Sequence, residues 1–340
     1  MKRTILYVVL AFIVAPIFVS CYQSHKKKLD LAYALVESRP DSALALMKHI
    51  DQEGLSKEEM AKYALTYYIA QDKSGLDLDN DSLIRIAYDW YEGHQEDSLY
   101  VLCLNYMGKF YLLVDSMEQA KSCLEKAYFI SDSLHKMNVK RLVLDKLIEV
   151  EEQLEPYKAL RYAKDMLKMY DSMANVTIYN KVAARLRLGE NFFYVGSLQH
   201  ALEEERKAYR MAMKAGDSNL LSYVRQNLAS TFEEMGEKDS CLYYARLAYD
   251  LNAANRFSCL LTFASAYISV DSLNQAFSLL KQAMPKTAED RYSVFYFQSQ
   301  AAMKAQDFKS AKSFSDSAYH YLEDMYRTAL QGKAAYYTSF

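Results

Sequence analysis

The residues in this chain whose types could do chemistry are scattered. Six histidines (His25, His49, His94, His135, His200 and His320) stand far apart, none beside a second histidine, cysteine or carboxylate at a metal-ligating spacing. His200 and Glu204 lie one helical turn apart, and a solvated pair is their expected role. The run Glu203-Glu204-Glu205 reads as a wet helix face. No G-x-S-x-G, H-E-x-x-H or G-x-x-x-x-G-K-[ST] motif occurs. The expectation is therefore a chain that is not an enzyme and takes no cofactor and no metal. Lys plus Arg (41) nearly cancels Asp plus Glu (43), so no basic field recruits nucleic acid. Cys103, Cys123, Cys241 and Cys259 lack C-x-x-C spacing and fall where a helix calls for a small buried side chain. They read as inert core thiols rather than disulfide partners.

The elements that must position any site are helices. Half the chain is hydrophobic (51%), yet it holds 9 glycines and 4 prolines among 340 residues. Average usage is roughly 7% and 5%, so turn-rich β folds and glycine-cradled phosphate sites are disfavoured. From residue 29 onward apolar residues recur at three- and four-residue steps in segments separated by short polar breaks, which predicts helix throughout. Asp41-Ser42, Asp81-Ser82, Asp97-Ser98, Asp115-Ser116 and Asp271-Ser272 each precede an apolar run, where their side chains are expected to cap first-turn amides. Ser116 with Gln119 and Ser272 with Gln275 fit capping-box spacing. Asp-Ser followed by Ala, Leu or Met also resembles the O-glycosylation acceptor of secreted Bacteroidota proteins.

Residues 1–20 read as a signal peptide: Lys2 and Arg3, then an apolar run from Ile5 to Val19 that is broken by Pro16 and short for a membrane span. Phe18-Val19-Ser20-Cys21 resembles the bacterial lipobox, with Phe18 where leucine is usual. That resemblance implies lipidation of Cys21 and a tether over 21–28, ending in Lys26-Lys27-Lys28. An uncleaved membrane anchor is the competing reading. Both place residues 22 onward outside the cytoplasm, held at a bacterial membrane, either the outer membrane or the periplasmic face.

Small residues give the sharper signal, because helices cross closely only where side chains are minimal. Three small positions, 12 and then 7 apart, recur in five sets: Gly108, Ala120, Ala127; Gly189, Ala201, Ala208; Ala229, Cys241, Ala248; Ala264, Ala276, Ala283; and Ser299, Ala311, Ala318. A large residue follows the first small one by three, as Tyr111, Phe192, Phe232 and Tyr267, and lapses to Ala302. The gap between the first two sets holds a degenerate unit with Ala159, Ala163 and Met166.

On these residues the chain resembles the tetratricopeptide repeat family. The match runs through Met107-Gly108…Tyr111…Ala120…Leu124…Ala127 and Leu188-Gly189…Phe192…Gly196…Ala201…Ala208, with Leu228-Ala229…Phe232…Gly236…Ala245…Ala248 behind them. Six units span about 101–322, two divergent ones fill 29–100, and 323–340 reads as a prolonged last helix and tail ending in Tyr336, Tyr337 and Phe340. The resemblance implies an all-α, right-handed superhelical solenoid of antiparallel helix pairs whose first helices line a concave groove. Mapped onto this chain, the groove positions are Asn105 and Lys109; Leu186, Glu190 and Phe193; Tyr223, Gln226, Ser230 and Glu233; Leu261 and Ser265; Tyr296 and Gln300. The co-chaperone branch grips a terminal carboxylate with paired Lys and Asn. Here Asn105 precedes Lys109 and later units supply Glu190 and Glu233, so that clamp is not carried over. The implied role is an extracytoplasmic lipoprotein scaffold that binds a protein or peptide, similar to the repeat-bearing lipoproteins and periplasmic sensor modules of Bacteroidota. A glycan-binding lipoprotein of SusD-like type is the alternative, although those chains carry long insertions that are lacking here. Of the thirty tyrosines, Tyr106, Tyr128, Tyr162, Tyr243 and Tyr249 fall at helix-packing spacing.

Overall fold

The computed structural model describes residues 26–338 apart from 77, 79, 80, 96, 97, 135, 136, 175 and 252; for residue 138 and residues 329–338 it describes backbone alone. The N-terminal leader, Cys21, Asp97 and Phe340 lie outside the described residues. The described residues form sixteen helices and no strand. They run α1 (26–35), α2 (Pro40–Met47), α3 (Lys57–Lys73), α4 (Ser82–Glu92), α5 (Ser98–Leu113), α6 (Met117–Ser133), α7 (Met137–Leu154) and α8 (Pro156–Ser172). The rest are α9 (Ile178–Tyr194), α10 (Leu198–Ala215), α11 (Ser218–Glu234), α12 (Lys238–Tyr249), α13 (Arg256–Ser269), α14 (Leu273–Leu280), α15 (Ala288–Lys304) and α16 (Phe308–Thr338). They fall into two compact units, Met1–Lys146 and Leu147–Phe340, divided inside α7. No described helix is long and apolar enough to cross a membrane.

Each unit is a stack of helical hairpins. The small residues mark the crossings: Ala120, Ala127, Ala201, Ala208, Ala276 and Cys241 are fully buried. A Cβ on Gly108 would stand 2.6 Å from Leu124 Cγ, and one on Gly189 would stand 3.4 Å from the Ala201 carbonyl oxygen. Ser299 uses its hydroxyl at the same crossing, donating to the Ala311 carbonyl at 3.1 Å. The spacing departs from the helices once. α14 stops at Leu280, so Ala283 sits beyond it and is only partly buried.

The hairpin turns correct the capping expectation. Seven residues after the first small position of each regular pair, the chain takes a left-handed conformation: Asp115 (φ 54), Gly196 (φ 73), Gly236 (φ 75), Asp271 (φ 61) and Gln306 (φ 61). There the next amide reaches back five residues, as Ser116 N to Tyr111 O (2.8 Å), Ser197 N to Phe192 O (2.8 Å) and Ser272 N to Tyr267 O (2.9 Å). The left-handed amide bonds three residues back, as Asp115 N to Leu112 O (3.1 Å), which completes a Schellman turn. The large residue at the third position is thus the one whose carbonyl closes the turn. This geometry leaves Ser116 and Ser272 with ψ of 68 and 60, and neither side chain caps its helix. Where the cap residue is extended (Ser56 ψ 165, Thr287 ψ 170), capping boxes form with Glu59 and Asp290. Asp41 and Ser42 lie within α2, and Asp81 heads α4 while bonding Arg85 rather than an amide.

The thiols of Cys103, Cys241 and Cys259 are fully buried, and Cys123 is half-buried; none of the four is in a disulfide. Burial pushes Cys123 up to about 11 and Cys241 up to about 12, so both stay protonated. Tyr106 and Tyr162 are core residues, whereas Tyr243, read as a packing residue, is 60% exposed.

Candidate functional site

Successive first helices touch one another within each unit: α3 meets α5, and α9, α11, α13 and α15 meet in turn. Among the described residues no comparable contact joins successive second helices. Each stack therefore has its first helices on the tighter side, and the groove positions fall there.

In the first unit, Asn105 on α5 is buried and its Oδ1 finds no hydrogen-bond partner among the described residues, while the Lys109 ammonium is ion-paired to Asp72 on α3. The other positions belong to the second unit, where Glu190, Gln226, Glu233 and Ser265 are bonded to the neighbouring first helix. Asn227 Nδ2 donates to Glu190 Oε1 at 2.9 Å, and Ser265 Oγ donates to Glu233 Oε1 at 2.6 Å. Gln226 donates to Ser258 and accepts from Asn255 Nδ2 at 2.8 Å. Ser230 turns inward to the Gln226 carbonyl (3.3 Å), and Leu186 is buried. Phe193 and Leu261 are half-buried, and Tyr223, Tyr296 and Gln300 are exposed.

Residues the spacing did not single out complete this seam. Asn191 Nδ2 donates to Glu152 Oε1 at 2.9 Å, and Arg187 lies 3.5 Å from Glu152 and 3.7 Å from Glu190. Burial is the main cause that raises the Glu152 and Glu233 carboxyls above the usual range. Tyr194, 58% exposed, is raised by partial burial and then by Glu152 and Glu190. A signal for Asn191 and Asn227 did exist: asparagine inside a helix is disfavoured unless its amide has a partner elsewhere.

The acidic run is not a wet face. Glu203 is exposed and paired to Lys207 at 2.7 Å, but Glu204 and Glu205 are buried. Glu204 bonds Arg185 (2.9 Å) and Lys207 (2.7 Å), while His200 stacks on Phe192 and bonds Ser197. Glu205, 1% exposed, packs against Gly189, accepts from Thr231 Oγ1 at 2.8 Å and leaves Oε2 without a hydrogen-bond partner among the described residues. Burial pushes its carboxyl up to about 7. No group of three potential metal ligands occurs among the described residues.

No family model matches this chain, and no curated protein matches it. Solved structures do. The apo form of RapI is 14% identical, with a TM-score of 0.66 over 88% of this chain and 86% of that one. NprR in complex with its cognate peptide NprX is 16% identical, with a TM-score of 0.61 over 86% and 87%. A STAND protein with a tetratricopeptide repeat sensor from Pyrococcus horikoshii is 14% identical, with a TM-score of 0.59 over 89% of this chain and 49% of that one. At these identities the likeness shows the fold: a helical solenoid of the tetratricopeptide-repeat type.

Proposed function

We propose that this chain is a non-enzymatic scaffold that binds a protein or peptide along its first helices, held on the extracytoplasmic side of a bacterial membrane by a lipid on Cys21. The observation that carries the reading is the seam of the second unit. Polar side chains there fasten the helices to each other, leaving Tyr194, Tyr223, Tyr296 and Gln300 exposed along the same helices. Aromatic rings with polar tips on a rigid polar floor suit a peptide segment, which brings both apolar side chains and backbone hydrogen bonds. The likeness to NprR, solved with its cognate peptide, supports the same use of the fold. The envelope location rests on the leader and lipobox pattern in the sequence.

Affinity capture of the intact protein from its native membrane tests both parts. The expected outcome is a protein recovered in near-equal amount, lost from the Tyr194→Ala, Tyr223→Ala double variant and kept by Tyr243→Ala on α12. Equal capture by all three would move the binding face elsewhere. Mass spectrometry should find diacylglycerol on Cys21, and a retained Met1 would remove the lipoprotein reading.

A further inference from the structure

The second helices carry a recurring tyrosine one residue after the last small position: Tyr128 on α6, Tyr209 on α10, Tyr249 on α12 and Tyr319 on α16. In the α13–α14 pair α14 ends too early, and Met284 at this place falls in the loop beyond it. Each of the first three rings is covered by a cation from the next first helix. The Lys140 ammonium of α7 stands 4.7 Å from the Tyr128 centroid. The Arg225 guanidinium of α11 stands 5.8 Å from that of Tyr209, and Arg256 of α13 stands 4.2 Å from that of Tyr249. Lys140 also bonds Asp132, four residues after Tyr128, at 2.5 Å. An ammonium there meets a ring face and a carboxylate together.

Tyr319 repeats this arrangement without its cover. It is 67% exposed, and no ring or cation stands over it among the described residues. Glu323 lies four residues on, where Asp132 lies relative to Tyr128, and Asp316 lies one turn before. Leu322 and Tyr326 extend the exposed strip. Among the described residues Glu323 is paired with Arg327, at 3.7 Å on the same exposed helix, a contact of the weak solvated kind. We infer that the Tyr319–Glu323 flank of α16 is a docking seat for a helix of a partner protein, entered by a lysine or arginine that covers the Tyr319 ring and bonds Glu323. The charge of the strip selects a cation-bearing helix, and the internal repeats show that such a helix fits. This seat is independent of the first-helix face.

A labelled synthetic peptide of residues 137–154, the segment that supplies Lys140, is a suitable probe of the full chain. Saturable binding is expected, weakened about fivefold by Tyr319→Ala, by Glu323→Lys and by a peptide carrying Lys140→Glu. All three changes are on exposed groups or in the probe, and unaltered thermal unfolding of the two protein variants checks their fold. No saturable binding by the wild type would overturn the proposal, as would binding that ignores Tyr319 and Glu323. If sedimentation shows a dimer that Tyr319→Ala converts to monomer, a second copy is the occupant and the partner protein is wrong.

Discussion

In the first unit the first helices are fastened by ion pairs: Lys62 to Asp30 of α1 at 2.6 Å, Lys73 to Glu37 in the turn after α1 at 2.8 Å, and Lys109 to Asp72. The second unit fastens its equivalents chiefly with neutral donors on carboxylates: Asn191 to Glu152, Asn227 to Glu190 and Ser265 to Glu233. The two solutions differ in what they do to charge. An ion pair at a half-exposed seam cancels charge and is screened by salt. A carboxylate served by an amide or hydroxyl keeps its charge, so burial raises its proton affinity, as at Glu152, Glu233 and most of all Glu205. The same backbone plan is therefore expected to make the first stack the more sensitive to ionic strength and the second the more sensitive to pH.

The largest test of this contrast is Glu205. A carboxyl held near 7 in the fold, against its usual 4.5, binds its proton more tightly folded than unfolded. The stability it allows is complete below pH 4.5 and is lost as pH rises to 7. Amide hydrogen exchange in α9–α12 should report a loss of up to about 3 kcal/mol across that window. Glu205→Gln should flatten the profile; an unchanged slope would break the contrast.

A smaller effect belongs to the first unit. Asp72→Asn should cost α3 and α5 roughly 1 kcal/mol at low salt and almost nothing at 1 M salt, read by exchange in those helices. Equal salt sensitivity in α9 and α11 would erase the distinction. The smallest effect concerns a turn that both units share. Gln306 is exposed at φ 61, where glycines serve in two other repeats, so Gln306→Gly should raise the melting temperature slightly, by about 0.5 kcal/mol of stability. A fall would show that its side chain holds the turn.

Much of the fold was legible in the sequence because close crossings admit few residue types. Gly108 faces Leu124 with no room for a Cβ, Gly189 faces Glu205 with little, and alanines repeat that message at fixed spacing. The turns were half legible. Their residues recur seven after the first small position, but Asp115 and Asp271 look like helix caps, and backbone angles decide otherwise. The groove positions were found by register, whereas their bonding was not, because a partner 32 or 37 residues away is invisible to local pattern. Burial of Glu204 and Glu205 was illegible for the same reason.

The sequence by itself determined the helices, their pairing and which face of each is small, since these follow from local periodicity and from the minimum size of a side chain at a crossing. Only the tertiary structure decided which polar groups stay free. Asn105, Lys109, Glu190, Gln226 and Glu233 have types that suit a ligand, and each is instead buried or already bonded within its unit. The reason is physical: a polar side chain drawn out of water must find a partner, and the nearest one stands on the next repeat.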